Sequence, residues 1–480
     1  MELYKIVRQL TSTEFEELHD SFTNNKADKS ALFLKLIRQF PENPDKEFLS
    51  QVDITPAAFY VLKSRLNQKV EEFLLTRLGD PSLDVISRVL KAQELAFSNS
   101  RQITIGALNK LERELLRLDF PYGLTVVYKL MQQLNCYHEE DLNFYQKQYS
   151  KQMAYTVAMD KATDLLTKFF RLFDSYWHSR KEEDLTQIAR VVEQIDNLCH
   201  LYDSHRLYIY KSIIHLYTVL FLDMQDEVRC ELETADVIFD KAMEILNVYK
   251  EDKTYEHIHM VFNFLRYIHF EKTSQDKLRI YFDILDFKVE ELLTVFYLNT
   301  NTALFLAAKI RHHVRNNTVA GLQKDVDLHL SNISLDMYRP SFYIQYHFFL
   351  AETAFLNGDY NKSNKVLYSL RNTLSFRKYP HSDLETKFLL AIGYIMTQED
   401  ELTSQTIMSI QRQLRNETSL KYEHCKTLLK ILTVASGNRA NTRLRNFEKY
   451  IPEWEAENVG KYAMLTEVNM RNIFLTAFFN

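Results

Sequence analysis

Apolar residues recur at every third or fourth position along most of the chain, the period of an amphipathic helix, and short polar breaks separate the runs. The first run follows Thr11-Ser12-Thr13-Glu14, whose Thr-x-x-Glu spacing matches a capping box, and carries the stripe Phe15, Leu18 and Phe22. A second stripe, Leu32, Phe33, Leu36, Ile37 and Phe40, stops at Pro41 and Pro44. Thr55 then caps a longer helix with Pro56 in its first turn, where a missing N–H costs nothing. Its stripe runs from Phe59 through Leu62, Leu66 and Val70 to Gly79-Asp80-Pro81.

From Ser82 onward, amphipathic runs alternate with breaks such as Ser98-Asn99-Ser100, Lys181-Glu182-Glu183-Asp184 and Glu271-Lys272-Thr273-Ser274. Breaks this short set neighbouring helices antiparallel. Between Glu139 and Trp177 the stripe Leu142, Tyr145, Tyr149, Met153, Leu166, Phe169, Phe173 and Trp177 is compatible with one long helix or with two.

Composition sharpens this picture. The 480 residues contain only 8 glycines and 8 prolines, and none of either between Leu124 and Ala320. Tight turns, bulges and phosphate-cradling loops depend on these residues, so the chain is expected to be all-α. No linker or low-complexity tract divides it, and a continuous stack of helix hairpins over 81–480 behind a small helical domain at 1–80 explains that best.

The C-terminal part repeats itself at a spacing of 40 residues: Leu350, Ala351, Leu367, Leu370 and Leu374 recur as Leu390, Ala391, Ile407, Ile410 and Leu414, with Ser363 answered by Thr403. A looser third unit follows through Leu428, Leu432 and Ala435, turns at Gly437-Asn438 and returns through Leu444 and Phe447. Periods of this length mark helical solenoids. Leu350-Ala351, Asn357-Gly358-Asp359-Tyr360, Ser363 and Leu367 together resemble a tetratricopeptide repeat, and the whole is similar to helical-repeat proteins of Bacteroidetes. Ala354 and Leu370 depart from the repeat pattern, and no proline closes the unit at Ser375. The resemblance implies a right-handed α-solenoid that works as a scaffold or adaptor, binding a protein or peptide on its concave surface.

Chemistry narrows the reading further. The net charge of −5 is interleaved, which gives no footprint for nucleic acid. Cys136, Cys199, Cys230 and Cys425 form no metal or redox spacing, and no apolar run reaches the length of a membrane span, so a cytoplasmic protein without cofactor or metal is expected. Glu16 with His19 and Glu256 with His259 have Glu-x-x-His spacing but lack the partner glutamates of a di-iron bundle. No glycine-bearing nucleophile elbow or P-loop exists, which argues against an enzyme. His312-His313, flanked by Lys309, Arg311 and Arg315, reads as a solvated helix end or as a receptor for an acidic partner. Phe48 to Thr55, leading into a helix, resembles the turn of a helix-turn-helix; a transcription regulator with a repeat-built sensor has that layout, yet residues 1 to 80 hold 11 Lys/Arg against 13 Asp/Glu.

Two surfaces are candidates for partner binding. The resemblance places Gln345, Phe348, Glu352 and Phe355 of a first repeat helix toward the groove. Phe348 and Glu352 stand where chaperone-binding members clamp a terminal carboxylate with lysine and asparagine, so the resemblance implies apolar anchors read by Phe348 and Phe355, with Glu352 favouring a cationic or donor group. The second surface is the basic run holding Lys362, Lys365 and Arg371, which suits an acidic peptide or is a solvated outer face.

Overall fold

The computed structural model describes residues 2–10, 12–24, 28–40, 43–77, 81–222, 224, 228–250, 252, 255–287, 302–326, 340–416, 420–437 and 440–466. Among these residues every regular element is a helix. The stops read at Pro41 and at Gly79-Asp80 lie outside the described residues, as does Thr11 of the capping box.

The N-terminal part comprises α1 (Glu2–Gln9), α2 (Ser12–Asn24), α3 (Asp28–Gln39), α4 (Pro44–Gln51) and α5 (Pro56–Arg77). Phe33, Phe48 and Phe59 bring three of these helices together, with ring centroids 4.9 to 5.3 Å apart, within a hydrophobic cluster whose buried members run from Leu3 to Val70. Thr55 caps α5 as its sequence suggests, accepting from Ala58 N–H at 3.3 Å.

Next come α6 (Pro81–Ser98), α7 (Arg101–Arg117), α8 (Pro121–Leu134) and α9 (Glu139–Ser179). The last is one uninterrupted helix of 41 residues, about 60 Å long at 1.5 Å per residue. Its first turn holds Glu139, Glu140 and Asp141, favourable at the positive end of the helix dipole. Continuing the chain are α10 (Glu182–Leu201), α11 (His205–Tyr217), a π-helical turn over Thr218–Leu222, α12 (Ala235–Val248), α13 (Glu256–Thr273) and α14 (Gln275–Phe287). Phe169, Phe173 and Tyr217 pack their rings in the largest core cluster, which extends from Ala158 to Ala308.

The C-terminal part holds α15 (Thr302–Arg315), α16 (Val319–Asp325), α17 (Pro340–Leu356), α18 (Tyr360–Thr373), α19 (Pro380–Met396), α20 (Asp400–Asn416), α21 (Glu423–Ala435) and α22 (Ala440–Glu457). The hairpins α17–α18 and α19–α20 start 40 residues apart and turn alike. Asp359 N–H reaches Ala354 O and Glu399 N–H reaches Tyr394 O, both at 2.9 Å, a six-residue closure that ends a helix. Gly358 supplies the left-handed residue of the first turn at φ 82°; Gln398 occupies that place in the second at φ 59°.

Two breaks read from the sequence are shorter than expected. Glu182, Glu183 and Asp184 form the first turn of α10, where three carboxylates face the helix dipole, so only Arg180 and Lys181 separate it from α9. Glu271 to Thr273 complete the last turn of α13, leaving Ser274 alone as the break. The solvated helix end read at His312-His313 is packed as well. The His312 ring stacks on Phe282 with centroids 3.5 Å apart, and Lys309 is buried against Asp286 at 2.5 Å.

Candidate binding cavity

Segments far apart in the sequence meet around a cavity of about 680 Å³. The end of α9 contributes Trp177 and the residue after it Arg180; the π-helical turn contributes Val219 to Phe221. Residues from α13, α15, α17 and the start of α19 continue the wall, and Gly460 to Thr466 close it. This last segment is held by its own chemistry. Gly460 takes φ 75°, the Asn458 side-chain amide bridges Met464 N and O at 2.9 and 2.8 Å, and Leu465 N–H donates to Glu385 at 2.9 Å.

The apolar part of the lining includes Trp177, Phe221, Ile268, Leu304 and Phe348. The lining also carries charge: Arg180, Lys272, Arg311, Arg315 and Lys461 are present together with Glu271, Glu352 and Glu385. Glu271 accepts from both Arg311 and Arg315 at 3.0 Å, so one carboxylate serves two guanidiniums. Lys272 donates to Leu220 O at 2.8 Å and ties α13 to the π-helical turn, a geometry that is rare in proteins and enriched at functional sites.

Arg180 differs from the other cations. It is 8% exposed, and its Nε and Nη1 are buried without a hydrogen-bond partner among the described residues. Its guanidinium carbon sits 4.4 Å above the Trp177 ring, a cation–π contact that supplies no acceptor for Nε or Nη1. Burial pulls its pKa below the usual arginine value while Tyr176 and Glu385 counter that shift. The backbone of Arg180 is left-handed, φ 55°, and its N–H donates to Tyr176 O at 2.7 Å as the cap of α9. In a chain this poor in glycine, Asp119, Asn317 and Gln398 also take positive φ; the backbone conformation alone therefore marks a helix end.

Beside Arg180 lies a serine–histidine contact, Ser382 Oγ to His178 Nδ1 at 2.8 Å. Burial first, and the charge of Arg180 second, push the His178 pKa down to about 3. A base held that far below neutrality activates a hydroxyl poorly, and Ser382 is only 2% exposed. The pair is a structural hydrogen bond. His381, also on the wall, bonds Tyr422 OH at 3.2 Å and is kept well below its ordinary pKa by burial and then by Arg180, His178 and His424.

The residues expected from the sequence separate into groups. Gln345, Phe348 and Glu352 share one face of α17 and all line the cavity. Phe355 lies off that wall: it is 2% exposed and packs edge-on against Tyr360 at 5.0 Å, inside the C-terminal core. Lys362 and Lys365 are on the exposed face of α18, and Arg371 points to Asp383 at 3.7 Å, bridging α18 and α19. Sequence reasoning missed Arg180 because it reads as one more polar residue of a helix break; the only signal was a charged residue in a cap position immediately after the stripe ending at Trp177.

No protein-family model, curated protein sequence or solved structure matches this chain.

Proposed function

We propose that this protein is a non-enzymatic binding protein, a scaffold or adaptor of the tetratricopeptide-like kind, and that its ligand is a peptide segment received in the cavity beside α17. The observation that carries this reading is the position of Phe348, 4% exposed overall yet on the cavity wall, with Gln345 and Glu352 one turn away on either side. An apolar anchor flanked by hydrogen-bonding groups is the usual composition of a recognition pocket, and its volume fits a few side chains rather than a folded domain. The pairing of helices into hairpins, two of them in 40-residue register, supports the solenoid view, in which ligands bind on the inner surface.

The experiment is a selection of random peptides on the full chain, followed by calorimetric titration of an enriched peptide against the wild type and Phe348→Ala. The reading expects enrichment of sequences with an apolar anchor, and a loss of about 1 to 3 kcal/mol in the variant. Absence of enrichment, or unchanged affinity in a folded Phe348→Ala protein, would contradict it.

A further inference from the structure

We infer that the cavity recognises an oxyanion headgroup, carboxylate or phosphate, carried on an aromatic or aliphatic body, with the guanidinium of Arg180 as its receptor. This inference rests on the cavity being a ligand site and adds the chemistry of what enters it.

Four observations converge. Arg180 is more than nine-tenths buried on the cavity wall, and its Nε and Nη1 have no hydrogen-bond partner among the described residues. Two buried guanidinium nitrogens without partners are costly to keep, whereas the charge-assisted N–H donors of arginine match the oxygens of a carboxylate or phosphate. The neighbouring carboxylate that attracts it, Glu385, has an oxygen occupied by Leu465 N–H at 2.9 Å, and no ion pair joins it to Arg180. Among the described residues the wall carries five cations against three carboxylates, so an anion entering offsets that excess while a cation would add to it. Trp177, 4.4 Å from the guanidinium carbon, packs edge-on against Phe221, and Phe348 lines the same cavity, so apolar surface for a hydrophobic body is present alongside the headgroup receptor. Glu352, on the sequence reading a receptor for a donor group, sits on the same wall and would take an N–H of the ligand rather than its acid.

The test uses the full chain with tryptophan fluorescence in a Trp454→Phe background, so that Trp177 alone reports, and thermal unfolding as a second readout. Probes are 3-phenylpropionate and phenyl phosphate, their uncharged counterparts 3-phenylpropionamide and phenol, and any peptide enriched in the selection above, as free acid and as amide. The expected result is binding of at least one charged probe, with its uncharged counterpart at least tenfold weaker, and loss of that preference in Arg180→Met. In the absence of any probe Arg180→Met should melt at a higher temperature than the wild type, because methionine retains the packing on Trp177 without the buried charge. Equal binding of acid and amide, no binding of any charged probe at 10 mM (about the weakest affinity that a charge-assisted contact of this kind leaves measurable), or a lower melting temperature in Arg180→Met would overturn the inference. The comparison of carboxylate, phosphate and peptide acid identifies the source of the oxyanion. If a peptide binds equally as acid and amide, the peptide reading survives and this inference fails; if only the small acids bind, the reverse holds.

Discussion

His178 Nδ1 lies 2.8 Å from Ser382 Oγ, joining the end of the 41-residue helix α9 to the first turn of α19 across 204 residues of sequence. The bond is buried, and its Ser382 end lines the cavity together with Arg180, so it holds this part of the wall in place. Removing the hydroxyl with Ser382→Ala leaves a buried imidazole nitrogen without its partner, a cost of about 1 to 3 kcal/mol. Chemical unfolding of the variant should show that loss. A change below 0.5 kcal/mol, on the order of a neutral surface substitution, would mean that the bond contributes nothing to holding the wall.

Acid should unfold this protein earlier than its carboxylates alone require. His178 and His215 are buried neutral, with pKa values pushed by burial down to about 3 and about 4. In the unfolded chain they protonate near pH 6.5. The folded state therefore binds fewer protons below that pH, and stability is lost as the pH falls through the window from about 6.5 toward those folded values. Each histidine contributes a slope of about 1.4 kcal/mol per pH unit within its window. Denaturant titrations at pH 7 and pH 5 measure this. His215→Leu, which removes a ring whose two nitrogens lack partners among the described residues, should flatten the dependence by one proton; an unchanged slope would contradict the assignment.

The two equivalent hairpin turns give a matched pair of substitutions. Gly358 at φ 82° tolerates no Cβ without strain, so Gly358→Ala should cost about 1 kcal/mol. Gln398 already bears that strain at φ 59°, so Gln398→Gly should stabilise by a similar amount, about 0.5 to 1 kcal/mol. Thermal unfolding of the two variants should move in opposite directions, and movement in the same direction would contradict the shared turn geometry.

A different glycine is fixed by packing. The Asn364 side chain of α18 occupies the place a Cβ on Gly393 of α19 would take. Alanine would improve helix propensity by about 0.5 to 1 kcal/mol, but overpacking at a filled contact costs about 1 to 3 kcal/mol. Gly393→Ala should therefore be destabilising, and Asn364→Ala combined with it should recover part of the loss; purely additive effects would show that the two residues do not compete for the space.

Much of the helical architecture was legible because its signal is local. The Thr55 cap, the stripes of α3 and α5, and the 40-residue register of α17 to α20 each depend on residues within one or two turns. Periodicity left open whether Glu139 to Trp177 is one helix or two; with no glycine or proline there, nothing interrupts the hydrogen-bond ladder, and α9 is continuous. Charges misled at the breaks, since Glu182 to Asp184 look like a loop yet favour a helix N-terminus. The cavity was half legible. Gln345, Phe348 and Glu352 share a helix face that spacing reveals, whereas Arg180 meets them only because segments from α9 to residue 466 converge. Phe355 lies on the same helix as Phe348 but a neighbouring aromatic, Tyr360, covers it, and nothing in the periodicity of α17 alone distinguishes a covered ring from a cavity-lining one.

The crystal structure of the full chain bound to a peptide or acid found by the titrations above tests the central claim most directly. The account predicts ligand density inside the cavity, in contact with Phe348 and with an oxygen within hydrogen-bonding distance of Arg180. Density on the exposed face of α18, against Lys362 and Lys365, with the cavity unchanged, would contradict it.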